Sequence, residues 1–125
     1  LGETLWDYFL TITFRYDVKA KQTERMLLQL EAQLEKESKV GGLFWVVEDS
    51  PNGYQSHAHL LVLGEDMRSH IETFFVKRKQ VATKKGIDSV VYDPIKGARY
   101  YICKDLGKRE VKYGVYLPKE DDHST

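Results

Sequence analysis

Two histidines two residues apart, in Ser56-His57-Ala58-His59-Leu60-Leu61-Val62-Leu63, are the residues of this chain best suited to hold a metal ion. The run reads as a strand. Successive side chains of a strand alternate faces, so His57 and His59 point the same way and can close on one ion. Leu61 and Leu63 continue that face as apolar surface, while Ala58, Leu60 and Val62 take the other. Both faces therefore read as buried, as in a central strand, and an imidazole pair placed there carries a desolvation cost unless it is partnered. A carboxylate stands nearby in sequence. Ser50-Pro51-Asn52-Gly53-Tyr54 is a turn, and Asn-Gly is the strongest short hairpin signal because both residues tolerate positive φ. With Asn52-Gly53 as the loop, Glu48 falls directly across from His57; with Pro51-Asn52 it falls opposite Gln55, one diagonal away on the same face. A slip of one residue turns Glu48 to the other side, leaving Asp49 and Gln55 as substitutes. An N,N,O set of this kind suits Mg²⁺, Mn²⁺ or Zn²⁺, and three protein ligands leave coordination positions open for catalysis.

A metal so held can polarise a phosphodiester, and a nucleophile is available further along the chain. Tyr100, Tyr101 and Lys104 lie on a segment with helical periodicity and fall off its apolar stripe of Ile95, Ala98, Ile102 and Leu106. A lysine within a turn of a phenol lowers the cost of a phenolate or neutralises the phosphate under attack. Helical geometry does not separate Tyr100 from Tyr101, since each is within a turn of Lys104 and neighbours diverge.

The elements that must position these groups follow from the pattern. Residues 6–14 alternate as a strand, with Trp6, Tyr8, Leu10, Ile12 and Phe14 on one face and Phe9, Thr11 and Thr13 on a more polar one that can look toward a site. Residues 21–39 carry Met26, Leu27, Leu30 and Leu34 at helical spacing, and Gly41-Gly42 supply the stop. Residues 43–48 are a strand. Ser69-His70-Ile71-Glu72 reads as a capping box opening a second helix with Ile71, Phe74 and Phe75 inward. Residues 87–92 are a strand, Asp93-Pro94 opens a helix that runs to Leu106 before Gly107, and Val111, Tyr113 and Val115 alternate as a final edge strand. The order β-α-β-β-α-β-α, with that extra strand, is an α+β, ferredoxin-like (RRM-like) antiparallel sheet with helices packed on it. Residues 1–117 form one domain and 118–125 a flexible tail.

At 125 residues, 42% hydrophobic and 30% charged, the chain can bury a proper core and is not of disordered composition. It has no apolar run of membrane-spanning length and no signal-peptide pattern, and its single Cys103 suits a reducing, intracellular compartment. The start at Leu1 rather than Met reads as a domain cut from a longer protein. A net charge of zero hides an asymmetry: residues 1–65 carry −4, residues 66–119 carry +7 and residues 120–125 carry −3. The basic excess includes Lys77, Arg78, Lys79, Lys84 and Lys85, then Arg99, Lys108 and Arg109, which are the candidate DNA contacts. His70 and His123, on a helix start and a tail, are assigned no role.

Phe9-Leu10-Thr11-Ile12-Thr13-Phe14, His57-Ala58-His59-Leu60-Leu61-Val62 and Tyr101-Ile102-Cys103-Lys104 together resemble the three ordered motifs of HUH endonucleases. Within that superfamily they look most like the catalytic domain of rolling-circle replication initiators (Rep proteins). The resemblance spans nearly the whole chain, with each motif on its expected element. It implies that His57 and His59 bind Mg²⁺ or Mn²⁺ with Glu48 as third ligand, that Tyr101 is the nucleophile and that Lys104 assists it. The implied reaction nicks and rejoins single-stranded or hairpin origin DNA through a 5′-phosphotyrosine, with no nucleotide cofactor. It places the protein in a bacterial-type cytoplasm or, for a eukaryotic replicon, a nucleus. The sequence departs from the pattern where many members carry a second tyrosine, since Lys104 and Asp105 stand there, and no helicase motif follows, so unwinding falls to a partner or to a further segment. A one-tyrosine single-strand transposase ranks second because its helix usually carries a Gln ligand where Lys104 stands; a relaxase ranks third. A non-catalytic nucleic-acid-binding module of the same fold is the competing reading from another class.

Overall fold

A computed structural model of the chain describes residues 6–14, 18–49, 56–78, 86–96 and 112–117. The aromatic and β-branched first run forms β1 (Tyr8–Thr13), with Leu10 and Ile12 fully buried on one face and Phe9, Thr11 and Thr13 on the other. Helix α1 (Ala20–Lys36) buries Thr23, Leu27, Leu30 and Leu34 along one stripe. It stops before the expected Gly41-Gly42. Ser38 adopts positive φ (50°) and the amides of Glu37, Ser38 and Lys39 turn back onto the carbonyls of Gln33, Glu35 and Leu34. The glycines serve the next element instead. Gly41 has φ +123° and sits where a Cβ would lie 2.5 Å from the Leu63 carbonyl oxygen, and Gly42 opens β2 (Gly42–Asp49).

Strand β3 (Ser56–Leu63) is followed at once by α2 (Glu65–Lys77), one turn earlier than the Ser69-to-Glu72 capping box had placed it. An earlier start sets Glu65 and Asp66 in the first turn, where acidic groups complement the helix dipole, and adds Met67 to the buried stripe of Ile71, Phe74 and Phe75. Glu72 is therefore not a cap: it is buried and accepts a hydrogen bond from Arg68 at 3.2 Å. Arg68 also pairs with Glu65 and lies 4.8 Å over the Tyr8 ring, and the Arg68 and Tyr8 hydrogen bonds hold the Glu65 carboxyl below the usual carboxylate range. Strands β4 (Ile87–Val91) and β5 (Lys112–Tyr116) complete the described elements. After β4 the chain makes a turn over residues 94–96, with the Ile95 amide donating to Asp93 Oδ1 at 2.9 Å. Residues 97–106 of the helix expected from Asp93 to Leu106, and the Asn52-Gly53 turn, lie outside the described residues.

The five strands form one antiparallel sheet in the order β4-β1-β3-β2-β5. This is an α+β fold of the ferredoxin-like kind, its β4-β1-β3-β2 core extended by β5 at the far edge. Both helices pack on one face, over Leu10, Ile12, Leu43, Trp45, Leu60 and Val62. On the other face a smaller cluster gathers Phe44, Val46 and Leu61 with Tyr92 and Trp6. Trp6 thus lies opposite the face its parity assigned: regular β1 begins only at Tyr8, so alternation does not extend back to it. Among the described residues no helix is long and apolar enough to cross a membrane.

Strand β5 is held by close packing. Gly114 lies across from Trp45, and a Cβ there would overlap the indole and come within 2.6 Å of Glu31 Oε2. Trp45 Nε1 donates to that same carboxylate, which burial pushes above its usual pKa against the opposing pull of the indole hydrogen bond. Tyr116 adds hydrogen bonds from its hydroxyl to the carbonyls of Leu34 (3.1 Å) and Lys39 (2.8 Å). Gly114→Ala is therefore expected to cost about 1–3 kcal/mol, the usual range for overpacking, read as a lowered melting temperature. An unchanged melt would show that β5 yields freely.

Candidate functional site

The face of the sheet opposite the helices carries the sequence's candidate ligands. The β2–β3 register pairs Glu48 with His57 and Val46 with His59, the arrangement expected if Asn52-Gly53 forms the loop. A slip of one residue in either strand would have turned Glu48 into the helix layer. The start of β3 is pinned from beneath. Ser56, 2% exposed on the helix face, donates from Oγ to the Val18 carbonyl at 2.7 Å and shares a second 2.7 Å hydrogen bond with the Thr23 hydroxyl. Because Ser56 precedes His57, this buried link to the start of α1 fixes which face His57 and His59 present.

His59 is the best-organised group. Its Nε2 lies 3.5 Å from Glu48 Oε2, its Nδ1 lies 3.2 Å from Thr11 Oγ1, and the Phe9 ring stacks on it at 5.6 Å and 11°. The imidazole is about one-fifth exposed and the Glu48 carboxylate likewise, so the pair is reachable yet largely withdrawn from water. A separation of 3.5 Å is long for a direct hydrogen bond. It is close to the roughly 3 Å between neighbouring ligand atoms around an octahedral ion with bonds of about 2.1 Å. A Thr11 hydroxyl accepting the Nδ1 proton leaves the Nε2 lone pair toward Glu48, as a metal-ligating histidine requires.

His57 is half-buried on the same face, across from Glu48 on one side and Thr13 on the other. Its imidazole makes no hydrogen bond or ion pair with another described side chain. Glu48 and His59 are thus brought together, with His57 beside them by register. Among the described residues no three His, Cys, Asp or Glu side chains converge closely enough to form a complete ion site. The donor set itself, two imidazoles and a carboxylate on one sheet face, is chemically suited to a divalent ion such as Mg²⁺, Mn²⁺ or Zn²⁺.

Of the candidate DNA contacts, Lys77 ends α2 and Arg78 follows it, its guanidinium 4.1 Å over the Phe74 ring. Phe75 meets Phe14, which follows β1 where that strand pairs with the start of β3, so Lys77 and Arg78 stand at the histidine end of the molecule, in the helix layer. Lys79, Lys84, Lys85, Arg99, Lys108 and Arg109, the nucleophile candidates Tyr100 and Tyr101, and Lys104 lie outside the described residues.

Thr11 is the residue that sequence reasoning left without a task. Parity placed it on the polar face of β1, but only the pairing of Thr11 with His59 gives its hydroxyl a partner. Outer-shell groups of this kind are worth about 10–100-fold in metal affinity. Thr11→Val, which keeps the shape and removes the hydroxyl, is expected to weaken Mn²⁺ binding about tenfold by titration calorimetry; parent-like affinity would make the threonine a packing residue. No protein family, curated protein or solved structure matches the chain.

Proposed function

We propose that this domain is a metal-dependent, single-tyrosine endonuclease that nicks and rejoins single-stranded DNA, and that it initiates rolling-circle replication. The observation that carries the reading is the placement of Glu48 across from His57 and within 3.5 Å of His59, on the sheet face the helices leave free. Glu48, His57 and His59 would hold a divalent ion, with Thr11 keeping the His59 ring oriented. Such an ion would supply positive charge for a phosphate oxygen. The Tyr101 oxygen attacks the phosphorus as its proton passes to water; the bond between phosphorus and the 3′ oxygen breaks, and that oxygen takes up a proton from water and leaves as a free 3′-OH. The 5′ side stays on Tyr101 as a phosphodiester, so the reverse step rejoins strands with no nucleotide cofactor. Lys104 lowers the cost of the negative charge on the phenol and phosphate.

Single-stranded or hairpin origin DNA is the partner this chemistry needs, with a helicase supplying separated strands. The setting is intracellular, in a bacterial-type cytoplasm or a eukaryotic nucleus.

The test is covalent capture. Protein mixed with a labelled, origin-derived single strand and Mn²⁺ is expected to yield an adduct that survives denaturing electrophoresis and disappears with EDTA. Metal-insensitive binding with no adduct to any cognate strand would instead favour a non-catalytic binding module.

A further inference from the structure

The β5 edge extends the candidate site into a row that crosses the whole sheet. Register places Asp88, Thr11, His59, Val46 and Tyr113 side by side, one from each strand in order. Tyr113 stands two strands from His59, a separation of about 10 Å. It is 62% exposed, and its ring meets that of Phe44, itself only 4% exposed, at 6.1 Å and 31°. Val115, 46% exposed, follows on the same face. A tyrosine is at home on any strand, but this one rests on a buried aromatic, on the histidine face, and keeps most of its surface bare. Aromatic groups displayed beside a phosphate site are what stack unpaired bases.

We infer that Tyr113, backed by Phe44, is a base-stacking platform for single-stranded DNA whose phosphate is held at the site formed by Glu48, His57 and His59. The inference rests on the strand-transfer reading above and adds a contact that reading does not contain. Single-stranded DNA is the fitting occupant because the face is continuous with the candidate phosphate site, and because duplex bases, already stacked, offer no free π-face. Stacking is tolerant of sequence, so Tyr113 contributes affinity and not recognition.

The experiment is retention of a labelled random-sequence pool of single-stranded DNA on filters, with Mn²⁺ present, for the parent, Tyr113→Ala, Tyr113→Phe and Leu28→Ala. Leu28 is half-exposed on α1, in the helix layer, and serves as the control for removing exposed apolar surface. Tyr113→Ala is expected to bind about tenfold more weakly, the scale of one lost stacking contact, while Tyr113→Phe and Leu28→Ala stay within about twofold of the parent. Parent-like binding by Tyr113→Ala, at an unchanged melting temperature, overturns the platform and leaves the strand-transfer reading standing. Equal loss in Tyr113→Phe assigns the effect to the hydroxyl and overturns stacking. A parent that fails to retain the pool more than serum albumin does overturns the platform, and the strand-transfer reading then stands or falls by adduct formation with the origin-derived strand.

Discussion

Tyr101→Phe is expected to abolish covalent adduct formation with Mn²⁺ and an origin-derived strand, the consequence of deleting the nucleophile. The change removes one oxygen and keeps the ring, so packing, melting temperature and Mn²⁺ affinity are expected to stay at parental values. Without that oxygen no phosphotyrosine can form, and what remains is slow hydrolysis at an activated phosphate. Tyr100→Phe is the matched control: it deletes the same group one residue away and is expected to retain adduct within a few-fold. Adduct lost in Tyr100→Phe and kept in Tyr101→Phe would reassign the nucleophile. Equal adduct in both would remove tyrosine chemistry on this segment. Lys104→Ala is expected to slow the reaction without abolishing it, because it removes charge stabilisation and leaves the attacking atom in place.

The second large effect falls on metal binding. His59→Ala and Glu48→Ala are each expected to lower Mn²⁺ affinity at least a hundredfold, measured by calorimetry or by the signal of free Mn²⁺. A three-ligand site that loses one ligand keeps only two protein bonds to the ion. The effect should exceed the tenfold expected for Thr11→Val, because in the proposed site Thr11 would orient a ligand without touching the ion. That ordering makes the prediction sharp. The 3.5 Å approach of His59 Nε2 to Glu48 could otherwise be an ordinary partly buried ion pair. An ion pair predicts that removing either partner changes stability and leaves Mn²⁺ affinity alone. Parental Mn²⁺ affinity in Glu48→Ala would therefore exclude Glu48 as a ligand, and loss of affinity in His59→Ala but not in Glu48→Ala would move the third ligand elsewhere.

How much of this was legible in the residues follows from how local each cause is. Strand alternation is a property of neighbouring residues, so His57 and His59 could be placed on one face, with Thr11 and Thr13 on a polar face of β1, before any fold was known. Helical stripes are nearly as local: Leu27, Leu30 and Leu34 on α1 and Ile71, Phe74 and Phe75 on α2 are buried as their spacing requires. The β-α-β-β-α-β order pointed to the ferredoxin-like sheet, and the alternating Tyr113 and Val115 do lie on an edge strand. Ends of elements were less legible, because competing local signals are settled by burial. Gly41 looked like a helix stop but is needed where the chain passes the Leu63 carbonyl, and the Ser69-to-Glu72 box lost to a start that buries Met67 and frees Glu72 to meet Arg68.

What the sequence determined by itself is the supply of chemistry: two imidazoles on one face, a carboxylate one hairpin away, and a tyrosine-lysine pair on a helical pattern. Tertiary structure alone decided which of three registers sets Glu48 across from His57. It also decided which strand lies on the other side of β3. Strand order is a non-local choice, made by the burial of both faces at once, and no spacing within the chain encodes that Thr11 will meet His59 or that Gly114 must leave room for Trp45. The residues named the candidate ligands; the sheet supplied their neighbours.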